Sequence, residues 1–341
     1  MNDRPADATP GITVVIPTWN RRDLLERLLE RLRVQTQPIA EVVVVDNGSK
    51  DGSAEAARTF GARVIELERN FGFTGAVNRG IEETHTELVA IVNNDVEPAP
   101  DWLEHLAEAI QQPRVFFAAG KLRSTAHPDS IDGTYDALCR GACAWRVGHG
   151  CKDSPLWDKP RTVQFVPFTA ALFRTEIFNK VGGLDERFRS YLEDVDFCLR
   201  SARFGYHGVY VPQAVASHEG NATLGRWNKE VVRLTARNQV LLLAKHYPRR
   251  YLVRYGWPIF VAQALWGALA AAHGRPFAFL RGKLEGLALL PRIRREAAHK
   301  GGWPKGLSRV IEQSESEIYH LQRRAGFDLY WRLYFALTCL S

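Results

Sequence analysis

The first third of the chain alternates short apolar runs with amphipathic helical patterns. The runs are rich in β-branched residues and end in polar ones: ITVVIPT at 12–18, EVVVVDN at 41–47, RVIELE at 63–68 and LVAIVNND at 88–95. Helical patterns lie between and after them, over 24–32 and at about 51–60, 74–84 and 101–111. Continuous apolar runs are typical of strands buried on both faces of a parallel sheet. The pattern predicts an α/β fold, a doubly wound sheet joined by right-handed crossovers.

Polar residues follow each predicted strand. They are Thr18 and Asn20, Asp46 and Asn47, Asn70, and Asn93, Asn94 and Asp95. Ligands of doubly wound sheets bind outside the carboxyl ends of the strands, so we expect these side chains to share one edge of the sheet. Asn and Asp are also common turn formers, and each residue taken alone is equally compatible with a turn.

The rest of the chain changes character twice. Residues 123–165 are irregular and predict an insertion over the site, whereas 166–188 and 190–212 each combine a strand with a short helix. From about residue 226 the pattern is helical, rich in Leu, Ala, Trp and Arg. We expect two regions, 1–225 and 226–341.

Charge is distributed unevenly between these regions. Residues 1–220 carry 25 Lys and Arg against 31 Asp and Glu, whereas 221–341 carry 20 against 7. A basic region suits anionic lipid, nucleic acid or phosphate, and charge alone does not choose among them. No nucleic-acid reading motif accompanies the charge, so we expect no nucleic-acid partner.

An uncharged stretch, YGWPIFVAQALWGALAAA at 255–272, lies inside the basic region. A spanning helix needs about 20 apolar residues, and here Pro258 and Gln263 interrupt. Arginines and aromatic residues on both sides favour a segment lying in the headgroup region of an anionic membrane; the alternative is a buried helical hairpin. Tryptophans are frequent after residue 226: Trp227, Trp257, Trp266, Trp303 and Trp331.

Other features exclude whole classes of protein. Neither G-x-G-x-x-G nor G-x-x-x-x-G-K-[ST] occurs, which excludes the usual dehydrogenases and P-loop NTPases. The polar, proline-broken N-terminus predicts no signal peptide, and the few cysteines fit a reducing compartment, so we expect a cytoplasmic protein in which the sequon at 221–223 has no role. Cys139, Cys143, His149 and Cys151 form an unusual spacing for zinc, and free thiols are the preferred interpretation.

A set of motifs in fixed order carries a family resemblance. The segments are VVIPTWNR, EVVVVDNGSKDGS, NFGFTGAVNRGI, AIVNNDVEP, GGLDERFRSYLEDVDFCLR and GYHGVYVPQAVASHEG, within residues 12–220. They resemble the family 2 glycosyltransferases, inverting enzymes of GT-A fold, and the last segments look most like the rhamnosyltransferase-like branch. The resemblance implies a doubly wound mixed sheet followed by a mostly helical region. It also implies transfer of a sugar from a dTDP- or UDP-sugar donor to a lipid-linked or growing saccharide acceptor in surface polysaccharide synthesis. We expect the sugar to be rhamnose.

The resemblance implies a divalent cation, Mg²⁺ or Mn²⁺, at Asp95 and His218. A carboxylate-held cation stabilises a diphosphate leaving group, and neutral His also binds such metals. The family pattern is D-x-D, whereas this chain has Asn93 in the first position. We therefore expect the metal to arrive largely with the nucleotide sugar, with Glu97 a lesser candidate ligand.

The resemblance places the catalytic base on Asp194, with Glu193 in support. An inverting transfer needs one carboxylate to take the proton of the acceptor hydroxyl, and a helix N-terminus favours the ionised form. Acidic residues open many helices for no catalytic reason. Asp196, for example, has Arg200 at i+4, and we expect an ordinary surface ion pair there.

The nucleotide site is expected along the strand-end edge. Asp46 would accept hydrogen bonds from the base or ribose, and Gly72 and Gly75 would let the backbone approach the nucleotide. Arg69 and Arg79 are open alternatives for the phosphates. The other expected binding residues are Thr18, Asn20, Asn70 and Asn94. The alternative function is a non-catalytic nucleotide-sugar-binding scaffold of the same fold, and an oligomer is compatible with either.

Overall fold

The structure, a computed structural model, describes residues 11–220, 227–299 and 306–338. Some features of the sequence lie outside these residues: the sequon at 221–223, the expected boundary at 225/226, Trp303 and Cys339.

Strands and helices are interspersed up to residue 218, and in the described residues after 226 only helices follow. The strands are β1 (Ile12–Thr18), β2 (Glu41–Asp46), β3 (Arg63–Glu66), β4 (Leu88–Val92), β5 (Val96–Pro98), β6 (Val115–Ser124), β7 (Ile131–Gly133), β8 (Asp136–Leu138), β9 (Ala144–Arg146), β10 (Arg161–Val163), β11 (Ala170–Arg174) and β12 (His207–His218). The helices are α1 (Arg22–Arg33), α2 (Ser53–Thr59), α3 (Gly72–Glu82), α4 (Trp102–Ile110), α5 (Glu176–Val181), α6 (Glu193–Ala202), α7 (Lys229–His246), α8 (Arg249–Arg254), α9 (Gly256–Ala272), α10 (Pro276–His299), α11 (Leu307–Ala325) and α12 (Leu329–Thr338).

The main sheet is mixed and has ten strands, in the order β10-β12-β6-β11-β4-β1-β2-β3, with β5 paired to β12 and β7 to β6. The strands β4, β1, β2 and β3 are parallel to one another. Strand β11 is antiparallel to both β4 and β6. The predicted doubly wound mixed sheet flanked by helices is confirmed.

The alternation of strand residues supplies a core on each face of the sheet. Val14 and Ile16 face a core that includes Leu25 from α1, whereas Val15 faces one that includes Val77 from α3. These valines and isoleucines are fully buried, as expected for strands covered by helices on both sides.

The helices after residue 226 pack onto the sheet instead of standing apart. Leu241 of α7, Ile311 of α11 and Trp331 of α12 belong to the same core as Val15. The predicted helical character of this region is confirmed for its described residues. None of the helices within the described ranges is long and apolar enough to cross a membrane.

Asp196 corrects a prediction made from the sequence. Its bond to Arg200 is present at 2.9 Å, but the side chain is fully buried, so it is no surface pair. The carboxylate also contacts Lys245 at 2.8 Å and His246 at 2.8 Å, both on α7. Local spacing reveals only the partner at i+4, because the other two lie about fifty residues away along the chain.

Candidate active site

The polar residues that follow the parallel strands meet at one edge of the sheet. Asn94 Nδ2 donates to Thr18 Oγ1 at 2.9 Å, joining the ends of β4 and β1. Asn47 Nδ2 donates to Asn70 Oδ1 at 3.2 Å and to the carbonyl of Gly72 at 3.0 Å. The loops after neighbouring strands thus form one polar wall.

Asp46 and Asn20 hold the loop that follows β2. Asp46 is buried, and its Oδ1 accepts from the backbone N–H of Ser49 at 3.0 Å. Asn20 donates its N–H to Ser49 Oγ at 2.7 Å and accepts at Oδ1 from the N–H of Lys50 at 3.0 Å. The loops after β1 and β2 therefore lie against each other beside the polar wall.

The glycines at the start of α3 make close contacts inside the protein. Gly72 has a φ of +86°, and a Cβ there would lie 2.9 Å from the carbonyl oxygen of Arg189. A Cβ on Gly75 would lie 2.8 Å from Cβ of Phe71. The expected close approach thus involves the chain's own segment at Arg189, which Thr74 also binds through its N–H at 2.9 Å.

Asp95 and His218 lie side by side, although they are far apart in sequence. His218 ends β12 and pairs in register with Val96 of β5, which immediately follows Asp95. This register sets His218 Nε2 3.3 Å from Asp95 Oδ1. Both side chains are nearly buried, with side-chain exposures of 8% and 10%.

The surroundings of this pair suit a divalent cation. Among the described residues, Oδ1 of Asn93 is a buried oxygen without a hydrogen-bond partner, and Oδ1 of Asp95 has only its ion-pair contact with His218; such oxygens are costly unless a donor or cation completes them. His218 Nδ1 contacts Asp132 Oδ2 at 2.7 Å, the arrangement that orients a metal-binding imidazole. Burial opposes protonation of His218, but Asp132 and Asp95 outweigh it and raise the pKa of the imidazole to about 9, so a cation that binds Nε2 must displace a proton. In the described part of the chain, no group of three or more His, Cys, Asp or Glu side chains is arranged to hold a metal ion by itself.

Glu193 and Asp194 begin α6, with Glu193 buried and Asp194 half-buried. Asp194 Oδ1 accepts from the N–H of Val195 at 2.7 Å. Burial raises the pKa of Asp194 above its usual range, against the opposing charge of Arg146. Burial and the neighbouring Asp194 also raise the pKa of Glu193, whose Oε2 has no hydrogen-bond partner among the described residues.

Asp136, on β8, lies beside Asp194 and was not found from the sequence. Two neighbouring carboxyl groups share a hydrogen bond only when one carries a proton. Burial, with the charge of Asp194, raises the pKa of Asp136 to about 7. The interaction of the two groups raises the pKa of Asp136 and lowers that of Asp194, which favours Asp136 as the protonated member of the pair.

Arg146, on β9, connects this carboxyl pair to the Asp95 and His218 pair. Its guanidinium lies 3.6 Å from Asp136 Oδ1 and 3.7 Å from Asp132 Oδ2. Acidic and basic side chains therefore alternate from Asp95 to Asp136, and Asp194 lies beside Asp136; we call this set the charge chain. Its members in order are Asp95, His218, Asp132, Arg146, Asp136 and Asp194.

The segment that leads into α6 is strained and held by α7. Arg189, Tyr191 and Leu192 all have positive φ, between 61° and 71°, a conformation that costs non-glycine residues energy and clusters at functional sites. The fully buried Asn238 of α7 donates through Nδ2 to the carbonyls of Phe188, Ser190 and Tyr191 at 2.7 to 3.0 Å. We call residues 188–192 the catalytic loop. No sequence pattern points to Asn238, because a helical spacing of apolar residues surrounds it.

Several other expected residues have partners elsewhere. Glu97 contacts Arg27 at 3.2 Å and Arg31 at 3.3 Å on α1. Arg79 pairs with Glu82 at 2.8 Å, and Arg69 lies over the ring of Phe71. Among the thiols, Cys139, Cys143, Cys151 and Cys198 are free, and His149 contacts Asp132 at 3.4 Å.

Comparisons with known proteins agree with this geometry. Residues 13–182 match the family model described as Glycosyl transferase family 2. An N-acetylglucosaminyl-diphospho-decaprenol L-rhamnosyltransferase of Mycobacterium tuberculosis is 29% identical over 247 residues, covering 64% of this chain and 79% of that protein. A pre-mycofactocin glycosyltransferase of the same organism is 31% identical over 220 residues, covering 63% of this chain and 44% of that protein. The O-antigen biosynthesis protein RfbC of Myxococcus xanthus is 29% identical over 231 residues, covering 64% of this chain and 18% of that protein. This chain thus spans less than half the length of the last two relatives.

Solved structures show the same fold. GalNAc-T7, crystallised with UDP, GalNAc and Mn²⁺, superposes with a TM-score of 0.63 at 16% identity, covering 94% of this chain and 59% of that one. The mannosyltransferase PcManGT of Pyrobaculum calidifontis, in complex with GDP-Man and Mn²⁺, superposes with a TM-score of 0.51 at 19% identity. The superposition covers 97% of this chain and 87% of that one. At these identities the likeness concerns the fold alone.

Proposed function

The chain carries a glycosyl transferase family 2 domain, and on that premise we propose that it is an inverting transferase that moves a sugar from a nucleoside-diphosphate donor to a saccharide acceptor. The observation that carries the proposal is the charge chain, which joins Asp95 and His218 at one end to the ionised carboxylate of Asp194 at the other. A donor diphosphate and an acceptor hydroxyl need these two kinds of group within one site.

The donor is proposed to lie along the polar wall. Asp46 would accept hydrogen bonds from the nucleoside, with Thr18 and Asn20 beside it, and the other proposed binding residues are Asn70, Gly72, Gly75 and Asn94. A dTDP- or UDP-sugar is the proposed class, with rhamnose as the sugar on the strength of the decaprenol-linked rhamnosyltransferase relative.

Asp95 and His218 are the proposed residues for a divalent cation, with Asn93 close by. Two observations support this assignment: the buried Oδ1 atoms of Asp95 and Asn93 form no hydrogen bond within the described residues, and Asp132 orients the imidazole of His218. A bound Mg²⁺ or Mn²⁺ neutralises charge on the diphosphate leaving group. Because few protein ligands converge here, the remaining positions would fall to the diphosphate and water.

Asp194 is the proposed base. Its carboxylate takes the proton of the acceptor hydroxyl while that oxygen bonds to the anomeric carbon and the bond to the diphosphate breaks on the opposite face. Asp136 donates a hydrogen bond that keeps Asp194 ionised, and Arg146 offsets the negative charge of the pair. Glu193, buried beside them, supports the position of this carboxylate.

The acceptor is proposed to be lipid-linked or a growing chain of surface polysaccharide. Two relatives support this class through their names, the decaprenol rhamnosyltransferase and the O-antigen biosynthesis protein. Such an acceptor keeps its lipid in a bilayer, so the enzyme would work peripherally on the inner face of the cell membrane. We assign residues 1–225 to donor binding and catalysis, and 226–341 to membrane association.

A donor screen followed by one substitution tests the function. In the presence of Mn²⁺, the correct nucleotide sugar at 100 times its Kd should stabilise the protein by about 2.7 kcal/mol in a thermal-shift assay. Asp194→Asn keeps the shape of the side chain but removes the base. We expect it to bind the same donor and to lose ~10²-fold or more in turnover.

Glu176→Gln serves as the control, because that carboxylate is half-exposed on α5 and away from the site. It should leave both donor binding and turnover unchanged. If the wild type bound the donor but transferred sugar to no acceptor, the alternative of a non-catalytic nucleotide-sugar-binding scaffold would be favoured. Wild-type turnover in Asp194→Asn would move the base to another residue.

A further inference from the structure

Large apolar side chains point to solvent from adjoining helices of the C-terminal region. On α10, Phe277, Leu280, Leu284 and Leu287 recur every three or four residues, which places them on one stripe. Phe277 is 83% and Leu284 67% exposed. On α12, Leu329, Leu333 and Leu337 form a second such stripe, and all three are exposed.

Packing on the opposite side holds α10 in this orientation. A Cβ on Gly282 would lie 2.2 Å from the carbonyl oxygen of Arg233, and one on Gly286 would lie 2.7 Å from Cβ of Val240. These glycines let α10 lie directly on the backbone of α7. The leucine stripe therefore faces away from the protein's own core.

Helix α9 lies between α12 and α10 and carries no charged residue. Trp257 Nε1 donates to the carbonyl of Leu337 on α12 at 2.8 Å, and Trp266 stacks on Phe279 of α10. Its outward side chains, Trp257 and Phe260, are 58% and 62% exposed. The stripes are thus neighbours, and we call them together the apolar face. Its members are Val253, Trp257, Phe260, Phe277, Leu280, Leu284, Leu287, Leu329, Leu333 and Leu337.

Arginines border the apolar face. Arg250 and Arg254 flank Val253 on α8 and, with Arg309, line a cavity of about 580 Å³. This cavity also contains Gly306 and Ser308 at the N-terminus of α11, where the helix dipole adds partial positive charge. Glu312 contacts Arg254 at 3.0 Å and offsets part of this charge. Near the α10 stripe, Arg281 is itself largely exposed.

We propose that the apolar face and its arginines dock this protein on the surface of an anionic lipid bilayer. The leucine and aromatic side chains enter the boundary between headgroups and acyl chains, and the arginines meet lipid phosphates. Charge complementarity selects this occupant over a second copy of the chain, because two copies joined here would bring two basic borders together. After residue 220 the chain has 20 Lys and Arg against 7 Asp and Glu, and this positive charge also favours an anionic surface over a second copy of the chain. This inference rests on the proposed membrane association of residues 226–341 and names the surface responsible. Lipid binding is measurable without sugar transfer, so the two proposals can fail separately.

Flotation with vesicles tests the docking. The full chain should float with vesicles containing phosphatidylglycerol but weakly with pure phosphatidylcholine, and raised salt should release part of it. Phe277→Ser with Leu284→Ser should weaken binding by about tenfold or more at every salt concentration. Arg250→Gln with Arg309→Gln should weaken binding at low salt by roughly fivefold for each arginine removed.

Matched controls lie elsewhere on the molecule. Phe204 is 54% exposed outside the apolar face, and Phe204→Ser should bind vesicles like the wild type. Arg31→Gln with Arg58→Gln removes two half-exposed arginines from the α/β region and should likewise have little effect.

A second measurement needs no destabilising change. Brominated lipids should quench the wild-type fluorescence, and Trp257→Phe should remove part of that quenching. The proposal would be overturned by equally weak binding to both vesicle types, or by wild-type binding in the Phe277/Leu284 variant. It would also be overturned if the protein did not bind vesicles and instead formed a dimer that Phe277→Ser dissociates.

Discussion

At the scale of single residues, the Asp136 and Asp194 pair governs the pH dependence of the proposed transfer. The pKa of Asp194 is raised, so its ionised form is lost and turnover falls as the pH drops through that raised pKa. Asp136→Ala removes the hydrogen bond that favours the Asp194 anion. We expect the acid limb of kcat/KM against pH to move up by about one unit.

Asp136→Asn is the matched variant, because its amide still donates to Asp194. The acid limb should then stay near its wild-type position, even if the maximal rate changes. Identical profiles for the alanine and asparagine variants would show that Asp136 does not control the ionisation of Asp194.

Asp95 and His218 give a second prediction at this scale. Asp95→Ala and His218→Ala should each weaken Mn²⁺-dependent donor binding by about tenfold or more, measured by calorimetry with and without the metal. Glu97→Ala is the control, because that carboxylate is held by Arg27 and Arg31 only two residues from Asp95. Full turnover in excess EDTA would contradict the assigned role of this pair.

The sequence pointed to Asp95, His218 and Asp194 but not to the groups that join them. The first three stand in recognisable motifs at the ends of a strand or helix. Asp132, Asp136 and Arg146 lie in an irregular segment without regular spacing, and their contacts form only when β6 to β9 are folded. A charged residue in such a segment has no local signal that separates it from a solvated one.

At the scale of elements, the contact between Gly72 and the segment at Arg189 leads to a third prediction. Gly72→Ala adds a Cβ at a positive φ and 2.9 Å from a backbone oxygen. Gly61 has nearly the same φ but nothing within 4 Å, so Gly61→Ala measures the conformational cost alone, about 1 kcal/mol. We expect Gly72→Ala to lower the free energy of unfolding by a further ~1–3 kcal/mol.

Gly72→Ala should also reduce turnover, because Arg189 belongs to the catalytic loop. Urea unfolding and initial rates check the two effects separately. Equal unfolding free energies for the two alanine variants would show that the catalytic loop yields readily to the added methyl group.

Elements with a clear periodic or continuous apolar pattern were predictable, and the strands of three residues were not. The strands β1, β2 and β4 have continuous apolar runs, and α1 has leucines at helical spacing, so their patterns are visible in the sequence. Strands of three residues, such as β7, β8 and β9, are too short to show a period. Their pairing partners, rather than their composition, determine where they form.

At the scale of the whole molecule, Asp196 links the α/β region to the C-terminal helices. Burial opposes the charge on Asp196, but Lys245 and Arg200 outweigh it and hold the pKa of its carboxyl well below the usual range. A depressed pKa contributes stability that is present above the unfolded-state value of about 3.9 and is lost as the pH falls. Asp196→Asn removes the negative charge that Arg200 and Lys245 face, leaving Lys245 with its contact to Asp185, and should cost ~3–5 kcal/mol.

Chemical unfolding between pH 7 and pH 2 checks this prediction. The wild type should show one transition, and its advantage over Asp196→Asn should shrink only below a pH of about 3.9. Glu176→Gln removes an exposed i,i+4 pair with Lys180 and should change stability by less than about 1 kcal/mol. Two separate wild-type transitions would show that the two regions unfold independently.

The hold of Asn238 on the catalytic loop bears on attempts to re-engineer the enzyme by recombination. A chimera that joins residues 1–220 to the C-terminal helices of a relative replaces the amide that binds three carbonyls of this strained loop. Such a hybrid would keep an intact polar wall, but Asp194 would be displaced because the loop that leads into α6 would no longer be held. Crossover points should therefore fall after α7, so that the grafted tail exchanges the lipid-facing helices while the native Asn238 stays with its own loop.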